Sequence, residues 1–332
     1  MSHSKRVPFH LLSGFLGSGK TTLLNRLLKL KEFENTLVIV NEFGSVPIDH
    51  LLVETSTEAI FELANGCLCC SIRGELIETL ANLDLTQFDR VVVETTGIAD
   101  PMPIFQAVVA DPEISVKLSP QGIISVFDLV RGDTLLNDHQ EARKQIAVSD
   151  LILLTKRDCD HDKASSVAAI QRFNPHAVIA YADDFLDKPK LPDRWTKADY
   201  MDETKPVGHT HAERYETRVL ETDTRLAFSD LIGFLHMLSN QLGTGLLRLK
   251  GFALLNDRKQ PVVIQMSGQL LHPPIAVDNP ANFPEKTQLV VITKGVDSNV
   301  ATELFRGFAG DPQIDSPDRE AILNNPLSIP GV

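Results

Sequence analysis

"VPFHLLSGFLGSGKTTLLNRLLKL", residues 7–30, runs from an apolar stretch through a glycine-rich turn into a leucine-patterned segment. The first part reads as a buried strand, and Lys20 onward reads as a helix. Between them, Gly14 to Thr21 fits G-x-x-x-x-G-K-[ST] at every position. Gly14, Gly17 and Gly19 allow the backbone to curl so that its N–H groups face phosphate oxygens. The helix beginning at Lys20 adds partial positive charge at the same place. Lys20 is expected to reach the β- and γ-phosphates, and the Thr21 hydroxyl to ligate Mg²⁺. Ser18 and Thr22 complete the expected nucleotide-contacting set. A glycine-rich turn can match this pattern by chance, but here a strand precedes it and a helix follows.

Outward from this turn, short apolar runs alternate with amphipathic stretches. "TLVIV" (36–40), "RVVVE" (90–94), "GIISVFD" (122–128) and "DLILLTK" (150–156) read as strands. "SIRGELIETLANL" places Ile72, Leu76, Leu80 and Leu83 near helical spacing. Valine- and isoleucine-rich strands separated by helices predict an α/β domain with a mostly parallel sheet covered on both faces. Glu94 ends one such strand, where a carboxylate can act through Mg²⁺ or orient water near a γ-phosphate. A strand ending in Glu is common, so its weight comes from the neighbouring phosphate loop. Gly97 would let backbone approach closely. In "TKRD", Asp158 can accept both N1–H and N2–H of guanine, a donor pair adenine lacks, with the Lys156 stem over the nucleotide. Asp158 as a simple helix-start cap is the other reading.

From residue 183 to 213 the chain turns polar and loses periodicity, which predicts a linker or exposed excursion. "YETRVLE", "LLRLKGFALL", "QPVVIQMSG" and "TQLVVITKG" then read as strands, and "LAFSDLIGFLHMLSNQL" and "SNVATELFRGF" as helices. The expected organisation is a P-loop domain over 1–182, the linker over 183–213, and a smaller α+β domain over 214–332. The 332 residues suit two cores rather than one. A net charge of −12 argues against a nucleic-acid partner held by phosphate contacts. The start lacks signal-peptide architecture and no stretch has the length of a membrane span, so a cytoplasmic protein without membrane contact is expected.

Three of the four cysteines, Cys67, Cys69 and Cys70, fall in "NGCLCCSIRGEL" (65–76), just before a helix. Thiols near a helix N-terminus ionise more readily. Such thiolates suit Zn²⁺ or Cu⁺, and Zn²⁺ or Co²⁺ if an oxygen or nitrogen ligand completes the set. Adjacent cysteines chelate awkwardly, which suits a metal that must be released. Glu42 in "NEFG" follows a strand end and offers an extra donor, or is an exposed loop carboxylate. Buried thiols or a redox pair are the alternatives for the cysteines. Cys159 stands apart.

With the P-loop, "NEFG", "ELANGCLCCSIRGEL", "VVVETTGIADP", "TKRD" and "LLRLKGF" in view, nearly the whole chain resembles the CobW-type metal-chaperone GTPases. These belong to the P-loop branch that includes the nickel-insertion GTPases of hydrogenase and urease. The resemblance implies that Gly14 to Thr21 bind the phosphates of GTP or GDP with Mg²⁺, and that Asp158 reads guanine. It implies Cys67, Cys69, Cys70 and Glu42 as transition-metal ligands, with zinc the expected metal and cobalt the alternative. Lys20, Thr21 and Glu94 would carry slow GTP hydrolysis, with no arginine finger assignable. A client metalloprotein is the expected partner, and homo-oligomerisation is left open. The family usually has Asn where this chain has Thr155, a shorter group with fewer hydrogen-bonding atoms. The histidine-rich tract of many members is reduced to His209 and His211. Two other readings compete: a zinc-responsive switch or scaffold with little hydrolysis, and a P-loop kinase.

Overall fold

The computed structural model describes residues 6–40, 60–62, 70–158, 163–192, 215–276 and 286–310. Seven strands form the first sheet: β1 (Val7–Gly14), β2 (Thr36–Val40), β3 (Ile60–Glu62), β4 (Arg90–Glu94), β5 (Leu118–Asp128), β6 (Leu151–Thr155) and β7 (Val178–Tyr181). Their order is β3-β2-β4-β1-β5-β6-β7, and every pairing is parallel. Among the described residues, eight helices lie between and after them: α1 (Lys20–Leu28), α2 (Cys70–Asn82), α3 (Pro101–Ala110), α4 (Pro112–Lys117), α5 (Gly132–Asp138), α6 (Gln140–Ala147), α7 (Lys163–Phe173) and α8 (Ala182–Asp187).

Alternation along the strands explains the layers. Phe9, Leu11, Leu37, Ile39, Val91 and Val93 point to one face, where Leu76 and Leu80 of α2 and Phe105 and Val108 of α3 cover them. Leu12, Val38, Val92, Ile124 and Val126 point to the other, against Leu23, Leu24 and Leu27 of α1 and Phe185 of α8. Burying each such side chain contributes about 1.5–3 kcal/mol. An all-apolar run such as Val91–Val93 therefore suits a strand covered on both sides.

Three details depart from the pattern read in the sequence. β5 starts at Leu118, ahead of "GIISVFD". Phe9 pairs with Pro120 and His10 with Gly122, so Gln121 is the extra residue of a bulge. Pro120 cannot donate to the ladder, and the bulge absorbs the missing bond. Strands β3 and β7 lie outside the stretches read as strands. Helix α8 occupies the start of the polar stretch read as a linker, because Phe185 and Leu186 are buried on the sheet.

The second sheet is antiparallel: β8 (Tyr215–Thr222), β9 (Leu246–Ala253), β10 (Val262–Ser267), β11 (Leu270–Leu271) and β13 (Thr287–Lys294), in the order β11-β10-β9-β13-β8, with β12 (Ile275–Ala276) pairing with β10. Helices α9 (Phe228–Leu242) and α10 (Asn299–Phe308) cover the face that carries Leu249, Ile264, Met266 and Val291. The opposite face of β9 and β10 carries buried polar residues, Arg248, Lys250, Gln265 and Ser267, beside Phe252 and Val263, and it meets the first sheet's domain. Arg248 and Lys250 reach Asp150 at 2.8 and 3.0 Å, while Arg248 also donates to the Val148 carbonyl. Gln106 of α3 donates to the Ser267 carbonyl at 2.6 Å. The architecture is thus an α/β domain with a parallel sheet plus a smaller α+β domain. Among the described residues, no helix is long and apolar enough to cross a membrane.

Candidate nucleotide site

The carboxyl ends of β1, β4, β5 and β6 converge, with β1 between β4 and β5. The chain leaves β1 for β2 on one side, and later crosses from β4 to β5 on the other. Ligands of open α/β sheets bind at such a crevice. Register puts Leu12 beside Glu94, Gly14 beside Val126, and Asp128 beside Thr155.

Gly14 (φ 139°), Gly17 (73°) and Gly19 (94°) all lie at positive φ in the loop after β1. Gly14 has a second constraint: a Cβ there would fall 2.5 Å from the Val126 carbonyl oxygen. Only glycine lets the loop turn this tightly against β5. Lys20 is buried, and its ammonium donates to the Gly14 carbonyl at 3.0 Å and the Phe15 carbonyl at 3.4 Å, inside the curl of its own loop. The Ser18 hydroxyl is buried without a hydrogen-bond partner among the described residues. A curled backbone, an enclosed ammonium and a spare hydroxyl at the start of α1 fit a bound phosphate chain.

Thr21 and Glu94 meet directly, the hydroxyl donating to Oε1 at 2.8 Å. Glu94 is buried at the end of β4, so the sheet itself delivers this carboxylate to the first turn of α1. A hydroxyl beside a carboxylate is an oxygen donor set of the kind Mg²⁺ takes. Beyond Glu94, Gly97 lies against the phosphate loop, where a Cβ would come within 2.6 Å of the Leu16 backbone nitrogen.

At the end of β6, Thr155 donates to the Ser18 carbonyl at 2.7 Å. The shorter side chain in place of Asn therefore still braces the phosphate loop. Lys156 adopts φ 61°, the left-handed region rare for a side-chain-bearing residue, and its ammonium meets Asp128 at 2.5 Å. Asp158 is exposed on the following turn. Thr22 is exposed in the first turn of α1.

The structure thus gathers Gly14 to Thr22, Glu94 and Lys156 at one end of the sheet. Glu42, Cys67, Cys69, Cys159, His209 and His211 lie outside the described residues. Cys70 opens α2, with its side chain likewise outside. No group of three metal-binding side chains occurs among the described residues. Asp128 was passed over in the sequence, although "GIISVFD" ends in a carboxylate as "RVVVE" does. Gln145 was also passed over. Its side chain donates to the Gly97 and Ala99 carbonyls at 3.2 and 3.0 Å, from within a helix that looks like a charged surface helix.

Residues 8–180 match the CobW/HypB/UreG nucleotide-binding domain. The chain belongs to this family. Residues 215–309 match the cobalamin synthesis protein cobW C-terminal domain. The zinc chaperone YjiA of Escherichia coli is 32% identical over 267 residues, covering 77% of this chain and 84% of that protein. The zinc chaperone CobW of Pseudomonas aeruginosa is 28% identical over 346 residues, covering 92% of each. The crystal structure of Zn(II)-bound YjiA GTPase from E. coli superposes with a TM-score of 0.64 at 24% identity, over 92% of this chain and 99% of that one. That superposition concerns the fold. A P-loop NTPase fold homologous to GTPases is therefore present. CobW/HypB/UreG membership implies nucleotide and metal binding and a client protein.

Proposed function

We propose that this protein is a GTP-hydrolysing metallochaperone that binds a transition metal, zinc before cobalt, and delivers it to a client metalloprotein. The observation that carries the proposal is the Thr21–Glu94 hydrogen bond at a carboxylate in register with Val40. Glu94 thereby touches the phosphate loop on one side and the end of β2 on the other. The chain leaves Val40 toward Glu42, the expected co-ligand of Cys67, Cys69 and Cys70. Nucleotide and metal segments thus start from neighbouring strand ends. The names of the relatives support zinc as cargo.

GTP would enter the crevice with its phosphates in the Gly14–Thr22 loop, where its oxygens replace the Gly14 and Phe15 carbonyls as partners of the Lys20 ammonium. Thr21 and Glu94 would hold Mg²⁺, which supplies neutralising charge at the phosphates. Phosphoryl transfer to water needs charge stabilisation and positioning more than covalent help. Lys20 and the loop N–H groups supply the first, and Glu94 and the loop that follows it supply the second. Asp158 with Lys156 would select guanine. Hydrolysis would then relax the segments next to Glu94 and release cargo or client.

The test is GTP turnover and affinity, titrated with Zn²⁺ and Co²⁺ at fixed Mg²⁺, for the native chain and Cys69→Ala/Cys70→Ala. Metal should change turnover or affinity in the native protein, and the double variant should lose the response. An identical response in both proteins would reject the coupling of metal to nucleotide.

A further inference from the structure

The loop from Thr95 to Asp100 has no regular structure, so its backbone groups need partners from elsewhere. Thr95 N–H donates to the Leu12 carbonyl at 2.9 Å and Ala99 N–H to the Thr96 carbonyl at 3.1 Å. The Gly97 and Ala99 carbonyls are both taken by the Gln145 side-chain amide, at 3.2 and 3.0 Å. One residue earlier on α6, the Lys144 ammonium meets the Asp100 carboxylate at 3.2 Å.

Gln145 is 1% exposed, in the buried stripe of α6 with Ala142 and Ile146. An amide buried there costs free energy unless it is bonded, and an apolar side chain would satisfy helix packing alone. Its backbone is rooted as well, since the Gln145 carbonyl accepts from the Ser149 hydroxyl at 2.6 Å and the Ser125 hydroxyl at 3.3 Å. Ser125 belongs to β5, the strand against which the phosphate loop turns. Gln145 therefore ties the loop after Glu94 to the strand against which the phosphate loop turns. The same loop also rests on the phosphate loop itself, through Gly97 against Leu16.

We infer that Gln145 is a positioning residue for hydrolysis, setting the Gly97–Ala99 backbone, and through it Glu94, relative to the phosphate loop. Among the described residues its side-chain amide donates to the Gly97 and Ala99 carbonyls, not to a side chain of the phosphate loop. The inference rests on the GTPase reading above. A misplacement of about 1 Å at such a loop can cost on the order of 10²-fold in rate. Binding of the diphosphate, which depends on Gly14–Thr22 and the TKRD turn, should be spared.

The test compares wild type with Gln145→Met, which keeps the length of the side chain and removes the donor. Turnover at saturating GTP should fall about 10- to 100-fold, with KM for GTP and affinity for GDP nearly unchanged and the thermal midpoint lowered by only a few degrees. A variant with unaltered kcat would overturn the inference. So would a parallel loss of kcat, GDP affinity and thermal stability, which is the signature of a residue that only holds the fold. If Gln145→Met does not fold, Gln145→Asn, whose amide falls one methylene short of both carbonyls, makes the same comparison. If wild type itself turns over no GTP, hydrolysis is lost from the proposed function on that ground alone. Gln145 is then judged by the ratio of affinities for a non-hydrolysable GTP analogue and GDP. That ratio should fall several-fold in the variant, and an unchanged ratio rejects the positioning role.

Discussion

The Thr155 hydroxyl carries one proton and has two carbonyls within reach, Ser18 at 2.7 Å and Phe127 at 3.2 Å. The shorter contact faces the phosphate loop, so the hydroxyl hydrogen serves Ser18, and β6 holds the loop in place of the usual amide. Thr155→Val keeps the shape and removes that bond. It should cost about 1 kcal/mol of stability and weaken GDP binding several-fold, as read by denaturant unfolding and calorimetry. Unchanged values for both would mean that the loop does not depend on Thr155. At this scale the sequence was most legible where one residue answers one steric or chemical demand. Gly14 has no room for a side chain, and Thr21 and Glu94 meet because register places a strand-end carboxylate at the first turn of α1. Asp128 was less visible, because its importance depends on Lys156, a neighbour 28 residues away in sequence.

Two helices begin with the same dipeptide, and the pair separates capping from positioning. Asp100 accepts from Met102 N–H at 3.0 Å, with Pro101 opening α3. Asp111 accepts from Glu113 and Ile114 N–H at 2.9 and 3.0 Å, with Pro112 opening α4. Removing either cap by an alanine substitution should cost about 1 kcal/mol. Only Asp100 also meets Lys144 and ends the loop that leaves Glu94. Asp100→Ala should therefore lower GTP turnover several-fold, while Asp111→Ala leaves it within twofold at a similar loss of stability. Equal turnover in the two variants would detach that loop from the chemistry. Elements with long apolar runs or several turns of leucine spacing were readable from sequence. Strand β7, with four residues, and α8, with six, are too short for a period to emerge. In α6, "QEARKQIA", charged neighbours conceal that Ala142, Gln145 and Ile146 form one buried stripe. A polar residue in such a stripe was the available signal.

How the two domains meet could not be read from alternation alone. "LLRLKGF" alternates apolar and basic residues, which ordinarily means one face on a core and one in water. Here the basic face is buried, because Arg248 and Lys250 meet Asp150, 98 and 100 residues earlier in the chain. Burial by itself would raise the Asp150 carboxyl. The Arg248 guanidinium, the Lys250 ammonium and the Ile123 N–H outweigh it and hold the group well below the ordinary carboxylate range. Asp150→Asn keeps an acceptor for Ile123 N–H but removes the charge, leaving two cations buried without it. Breaking a buried pair in this way costs about 3–5 kcal/mol, measured at neutral pH by denaturant unfolding. The acid dependence has a definite sign. The folded-state pKa lies below the unfolded value of about 3.9, so the carboxylate contributes fully above that value. Its contribution is lost as pH falls below about 4 toward the depressed folded value. The stability gap between wild type and Asp150→Asn should therefore be widest near neutrality and narrow steadily on acidification below that point. A gap that stays constant through the acid range, or is absent at neutral pH, would mean that the Asp150 charge does not hold the two domains together.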